Sequence, residues 1–227
     1  MSYTGFGVYQ PPPPPRKPNR APLWVALGVV GVLAAGGAVA LVAAGSGDEP
    51  AAPSSSSPEA PPWQVVEDPR SGVVYELPPD WESQGGGASG RIALGSSYVS
   101  RPFECQGRNM IQAQAVAGSL VEDDPGQVGT ELVNRLAASG YTVDGAPPTI
   151  GDPRVEGDGD RVVVSVEVTP EAANACFAPK ARITAVALRN GGEVAVFALN
   201  VAEGGPHVAE GPSEDDVERI LGSVRLP

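Results

Sequence analysis

Residues 181–201 read ARITAVALRNGGEVAVFALNV. Two runs of β-branched and aliphatic residues, Ala181 to Leu188 and Glu193 to Val201, flank Asn190-Gly191. Asn and Gly tolerate the positive φ angles of a tight turn, so the segment reads as a β-hairpin. In its second run Val194, Val196, Ala198 and Asn200 alternate with Ala195, Phe197, Leu199 and Val201.

Working outward, Thr149 to Glu156 and Arg161 to Val168 read as a preceding hairpin that turns at Asp158-Gly159. Further upstream a helix is expected. Asp123 or Asp124 caps it, Pro125 fits its first turn, Val128, Leu132, Val133 and Leu136 recur at helical spacing, and Gly140 stops it. Before the helix, Gly72 to Leu77, Arg91 to Val99 and Asn109 to Leu120 have strand composition, with Gly85 to Gly90 as a loop. Downstream, Ser213 and Asp216 form a capping box, and Val217, Ile220, Leu221 and Val224 give a closing helix its apolar face. The expected fold class is α+β, a mostly antiparallel sheet flanked by helices, in one acidic domain over residues 63–227.

Ahead of that domain lies an apolar run. Leu23 to Ala44 is 22 residues without a charge or a proline. As a helix it reaches roughly 33 Å, enough for a hydrocarbon core of about 30 Å, so one transmembrane helix is expected over 23–44. Arg16, Lys17 and Arg20 are the only charges before it, against 12 bases and 27 acids after it. That asymmetry puts the tail, residues 1–22, in the cytoplasm and the C-terminal domain outside. Ala38-Val39-Ala40 fits a small-x-small cleavage pattern, but the apolar stretch outlasts a cleavable signal's core, and an uncleaved anchor is expected. Gly36, Ala40 and Ala44 form a small-residue face of the kind that lets such helices associate. In the tail, Pro11 to Pro15 impose polyproline II, and Pro11, Pro14 and Arg16 match a P-x-x-P-x-R pattern, read here as a stiff basic tail near lipid. Residues 45–62 are rich in Ser, Pro and Ala, a composition that buries too little apolar area to order, and read as a disordered spacer. Thirteen arginines to two lysines, with abundant Ala, Gly and Pro, agree with a GC-rich bacterial source.

Cys105 and Cys176 are the only cysteines, and outside the cell an even pair is expected to form one disulfide; free thiols or a redox pair are the other readings. Closing a loop of 71 residues is worth about 4 kcal/mol in the chain-entropy description. Other chemistry is sparse. His207 is the sole histidine and sits in loop composition, with no nucleophile or orienting acid that pattern alone assigns to it. Gly85, Gly87 and Gly90 spell G-x-G-x-x-G but lead into a strand, not into a helix N-terminus. Glu156, Asp158, Asp160 and Glu167 have calcium-loop spacing, yet Arg161 stands where the sharp turn needs glycine. Asp123-Asp124 and Glu214-Asp215-Asp216 fall where helices begin and meet the positive end of the helix dipole. No catalytic, cofactor or metal site is expected, and a net charge of −12 disfavours nucleic acid as a partner.

Two segments carry a resemblance. Asp68-Pro-Arg-Ser-Gly-Val-Val-Tyr-Glu-Leu-Pro-Pro-Asp-Trp81 is similar to the opening of exported PsbP-like domains, and Ser213-Glu-Asp-Asp-Val-Glu-Arg-Ile-Leu-Gly-Ser-Val-Arg225 is similar to their last helix. These domains share an α/β/α sandwich with the extrinsic PsbP subunit of photosystem II and with actinobacterial lipoproteins of the LpqN kind. The chain departs from the lipoproteins in having no lipobox cysteine. The resemblance implies the sandwich fold and a non-enzymatic, accessory or binding habit, and it carries over no site residues. The expectation is a single-pass membrane protein with an extracytoplasmic binding domain, held by membrane lipid and meeting an envelope protein or a small ligand. A wall-modifying hydrolase using paired carboxylates and a purely structural envelope protein are the alternatives.

Overall fold

The computed structural model describes residues 61–143, 145–171 and 176–227. The tail, the apolar run 23–44 and nearly all of the spacer lie outside these residues; among the described residues no helix is long and apolar enough to cross a membrane. In chain order the strands are β1 (Gln64–Glu67), β2 (Val74–Leu77), β3 (Glu82–Ser83), β4 (Gly87–Ser89), β5 (Ile92–Val99), β6 (Phe103–Cys105), β7 (Arg108–Met110) and β8 (Ala113–Leu120). Helix α1 (Pro125–Tyr141) follows, then β9 (Thr149–Ile150), β10 (Arg154–Asp158), β11 (Arg161–Thr169), β12 (Lys180–Asn190), β13 (Glu193–Glu203) and α2 (Glu214–Ser223).

The hairpin of residues 181–201 is the centre of the sheet. β12 and β13 pair antiparallel from Lys180↔Glu203 to Asn190↔Glu193, in the order β10-β11-β12-β13-β8-β5-β3, with β4 also on β5 and β9 also on β11. The turn is Gly191-Gly192, one residue beyond the expected Asn190-Gly191, because Asn190 is already paired with Glu193. The preceding hairpin shifts in the same sense: Asp158 pairs with Arg161, so Gly159-Asp160 make its turn. Its first strand is split into β9 and β10 around Gly151-Asp152-Pro153, since proline has no N–H to give the ladder.

Other expectations shift as well. The segment 109–120 is two strands in two sheets: β7 pairs with β6 in a small hairpin, and β8 enters the main sheet after Gln112. Gly85 to Gly90 is only partly a loop, since Gly87–Ser89 forms β4 on the edge of β5. Helix α1 does not stop at Gly140. It runs to Tyr141, and Thr142 then turns extended while its hydroxyl donates to Ala138 O at 2.6 Å, satisfying a terminal carbonyl. At its start, Asp124 Oδ1 accepts from the N–H groups of Gly126 and Gln127 at 2.9 and 3.2 Å.

Each face of the sheet has its own core. On one face α1 lays Val128, Leu132, Val133 and Leu136 over Val164, Ile183, Ala185 and Val196. On the other face the β1–β2 hairpin and α2 cover Phe197, Leu199, Val186 and Leu188 with Tyr75, Leu77 and Ile220. Full burial of each such aliphatic or aromatic side chain is worth about 1.5–3 kcal/mol. Asp68 pins the hairpin loop: its Oδ1 accepts from Ser71 N at 2.7 Å and Ser71 Oγ at 2.8 Å, and its Oδ2 accepts from Ser96 Oγ at 2.8 Å. That approach requires the β-bulge between Leu94 and Ser96, where a Cβ on Gly95 would lie 2.5 Å from Asp68 Oδ2.

Helix α2 is tied at both ends. Ser213 Oγ accepts from Asp216 N at 3.1 Å and Asp216 Oδ2 accepts from Ser213 N at 3.0 Å, the expected capping box. Arg161 donates to the C-terminal carbonyls of Val224 and Leu221 at 2.8 and 3.4 Å. In between, the Arg219 guanidinium lies 3.9 Å over the Trp63 ring and 2.9 Å from Glu76 Oε2.

A candidate binding cleft beside the second helix

Helix length leaves part of the second face open. A helix of ten residues spans about 15 Å, whereas a strand of eleven residues extends roughly 36 Å. Helix α2 therefore covers β12 and β13 near Phe197 and cannot reach their other end. There the chain from Gly204 to Pro212, including a 3₁₀ turn at Val208–Glu210, forms the opposite wall. Between the two lies a cleft of about 550 Å³.

Strand parity decides what the cleft contains. Even residues of β12 and odd residues of β13 face this side, so Thr184 pairs with Leu199, and Arg182 with Val201, on its floor. Val217 comes from α2 and Val208 from the 3₁₀ turn, while Glu203, Glu214 and Glu218 stand around the rim. Arg182 is the cleft's cation, and its charge is already engaged. Its Nε lies 3.0 Å from Glu203 Oε1 and its Nη2 lies 3.4 Å from Glu167 Oε1 on β11. Beyond Arg182 a second hollow of about 390 Å³ opens between Glu167 and the Gly151–Arg154 segment. The arrangement can hold an aliphatic group against Leu199, Val201 and Val217 and can exchange polar contacts with the rim.

The residues singled out in the sequence lie elsewhere or apart. Cys105 and Cys176 form a disulfide, with Cα atoms 5.7 Å apart, joining the β6–β7 hairpin to the β11–β12 connection. A hollow of only about 20 Å³ lies against it, between Tyr141, Asn200 and Phe177, room for roughly one water. His207 stacks on Phe103 with ring centroids 4.5 Å apart; its carbonyl accepts from Gln112 Nε2 at 2.6 Å, and its Nδ1 lies 3.8 Å from Glu210. The ring anchors the cleft's outer wall. The run from Gly85 to Gly90 leads through β4 into β5, and the guanidinium of Arg135 packs against Gly90. Glu156, Asp158, Asp160 and Glu167 do not converge: Asp160 pairs with Arg189 at 3.3 Å and Glu167 with Arg182 at 3.4 Å. Among the described residues no group of three or more metal-ligating side chains is placed to hold an ion.

One buried polar constellation was not legible as such. Tyr75 OH, Ser96 Oγ and Asp68 follow one another at 2.8 Å spacings. Ser96 donates its single hydroxyl proton to Asp68, so Tyr75 donates to Ser96. Asp68 is 1% exposed, and burial pushes the Tyr75 phenol far above its ordinary range, so the chain of hydroxyls is a sealed structural brace. The Tyr141 phenol, donating to Asn200 Oδ1 at 2.7 Å under α1, is raised for the same reason.

Fold and cleft together define an α+β domain with one antiparallel sheet between a single helix and a helix-plus-hairpin layer. The chain belongs to the family described as a domain of unknown function, DUF8017, whose model matches residues 56–227. No curated protein matches it. Similar solved structures include the Ran-binding protein Mog1p of Saccharomyces cerevisiae, at 13% identity over 73% of this chain and 95% of that one, with a TM-score of 0.42. Cyanobacterial PsbP (CyanoP) of Synechocystis sp. PCC 6803 is another, at 14% identity over 73% and 92%, with a TM-score of 0.39. At these levels neither likeness assigns a ligand, a partner or a reaction to this chain.

Proposed function

We propose that the chain is a single-pass membrane protein whose acidic domain stands outside the membrane and works by binding, through the cleft beside α2. The observation that carries the binding reading is the floor of that cleft. Val201 lies half-buried at the end of a sheet face that is elsewhere covered by helix and hairpin, with the covered Leu199 behind it, and a short helix leaves this end beside open space. Apolar clefts of several hundred Å³ with a few converging polar groups are the usual form of a ligand site. Support for the anchor is the uncharged run Leu23–Ala44, and support for its orientation is the basic tail before it.

A reporter active only outside the cell, fused after Pro227, is expected to be active, and the same reporter placed before Leu23 to be silent. Activity at both ends, or at neither, contradicts the single-pass arrangement. A second reading is hydrolysis of wall polysaccharide, favoured by the carboxylates of Glu203 and Glu214 in one cleft. Reducing ends released by the purified chain, and lost in Glu203→Gln, would establish that reading instead.

A further inference from the structure

We infer that the cleft takes a small organic cation, an ammonium or guanidinium group on an aliphatic body. The inference rests on the cleft being the binding site and names the chemistry of its ligand. Two features describe the body of the ligand and a polar contact to it, and the third sets its charge. The floor and walls supplied by Leu199, Val201, Val208 and Val217 match an aliphatic body, and the volume of about 550 Å³ suits a small molecule.

Thr184 is the second feature. It sits on that floor and is 9% exposed, and its hydroxyl makes no hydrogen bond to another described residue. The hydroxyl is not sealed in the interior but opens to the cleft, where water or a group on a ligand supplies its hydrogen bond. An N–H donor on the ligand meets its lone pairs.

The third feature is the charge of the rim. Arg182 is engaged by Glu203 and Glu167, so it offers little to an anion. Glu214 and Glu218 line the same cleft and form no ion pair among the described residues. They stand one turn apart on α2, a like-charge i,i+4 pair. A cation in the cleft offsets that repulsion, and an anion adds to it.

The test is a methyl NMR titration of the purified full chain with hexylamine, hexanol and hexanoate, which share one body and differ in the charge of the head. The methyl signals of Leu199, Val201 and Val217 are expected to respond to hexylamine at a concentration about five-fold lower than to hexanol, with hexanoate weakest. The double variant Glu214→Gln/Glu218→Gln is expected to bring hexylamine to the level of hexanol. Thr184→Val is expected to weaken hexylamine while leaving the melting temperature unchanged or higher, because the hydroxyl it removes has no protein partner. Equal response to hexylamine and hexanol, a preference for hexanoate, or a hexylamine preference that survives the double variant overturns the inference and leaves the cleft as a binding site. No response to any of the three probes removes both.

Discussion

Gly95 shows how one residue can fix the joint between two layers. Its missing side chain admits the Asp68 carboxylate, and the carboxylate in turn orders the loop that carries β1 into β2. Gly95→Ala is expected to destabilise the domain by about 1–3 kcal/mol, since the buried carboxylate has nowhere to retreat. For a domain of this size the melting temperature falls roughly 2–4 °C per kcal/mol. Gly87→Ala, where a Cβ meets nothing within 4 Å, is the matching control and is expected to stay within about 0.5 kcal/mol. A second residue-scale effect comes from pH. Burial raises the phenols of Tyr75 and Tyr141 in the folded state, while in the unfolded chain they titrate near the ordinary value of about 10. Their contribution to stability is therefore complete below about pH 10 and is lost as pH rises above it. Thermal melts between pH 9 and 11 are expected to show that fall, with a shallower slope in Tyr75→Phe. The brace was only half legible in the sequence. Asp68 and Tyr75 stand in the segment that carries the family resemblance, but Ser96 lies 28 residues from Asp68 and belongs to a strand whose pattern says nothing of a bulge.

At the scale of elements, the rules that succeeded were local ones. Asp124, Pro125 and the Ser213–Asp216 box announce both helices, because capping groups lie within three residues of the amides they satisfy. The limits that shifted were those set by partners elsewhere: Gly140 stays helical because Tyr141 is held by Asn200, and β7 leaves the main sheet to pair with β6. The cleft was illegible for the same reason. Arg182, Thr184, Leu199 and Glu218 come from two strands and a helix, and only the register of β12 against β13 and the length of α2 bring them together. The one signal in the sequence was the Glu214/Glu218 spacing. Because α2 forms one wall, its cap reaches the site. Ser213→Ala is expected to cost about 1 kcal/mol in denaturant unfolding and to weaken hexylamine binding in parallel. A lost cap with unchanged binding would show that the helix start does not shape the cleft.

At the scale of the whole domain, the sheet is left open beside α2. That openness follows from economy of covering. A single helix and a two-stranded hairpin share one face, and what they leave uncovered is an end of β12 and β13 with mixed apolar and charged character. Val208, 54% exposed on the cleft wall, and Val121, 76% exposed near the opposite end of the sheet, provide a direct comparison in intact cells. A photo-crosslinking side chain placed at each position, followed by mass analysis of the purified chain, measures which end of the domain meets other molecules. Light-dependent adducts at Val208 and not at Val121 are the predicted result. Identical adducts at both positions, or none at Val208, would contradict binding through this cleft.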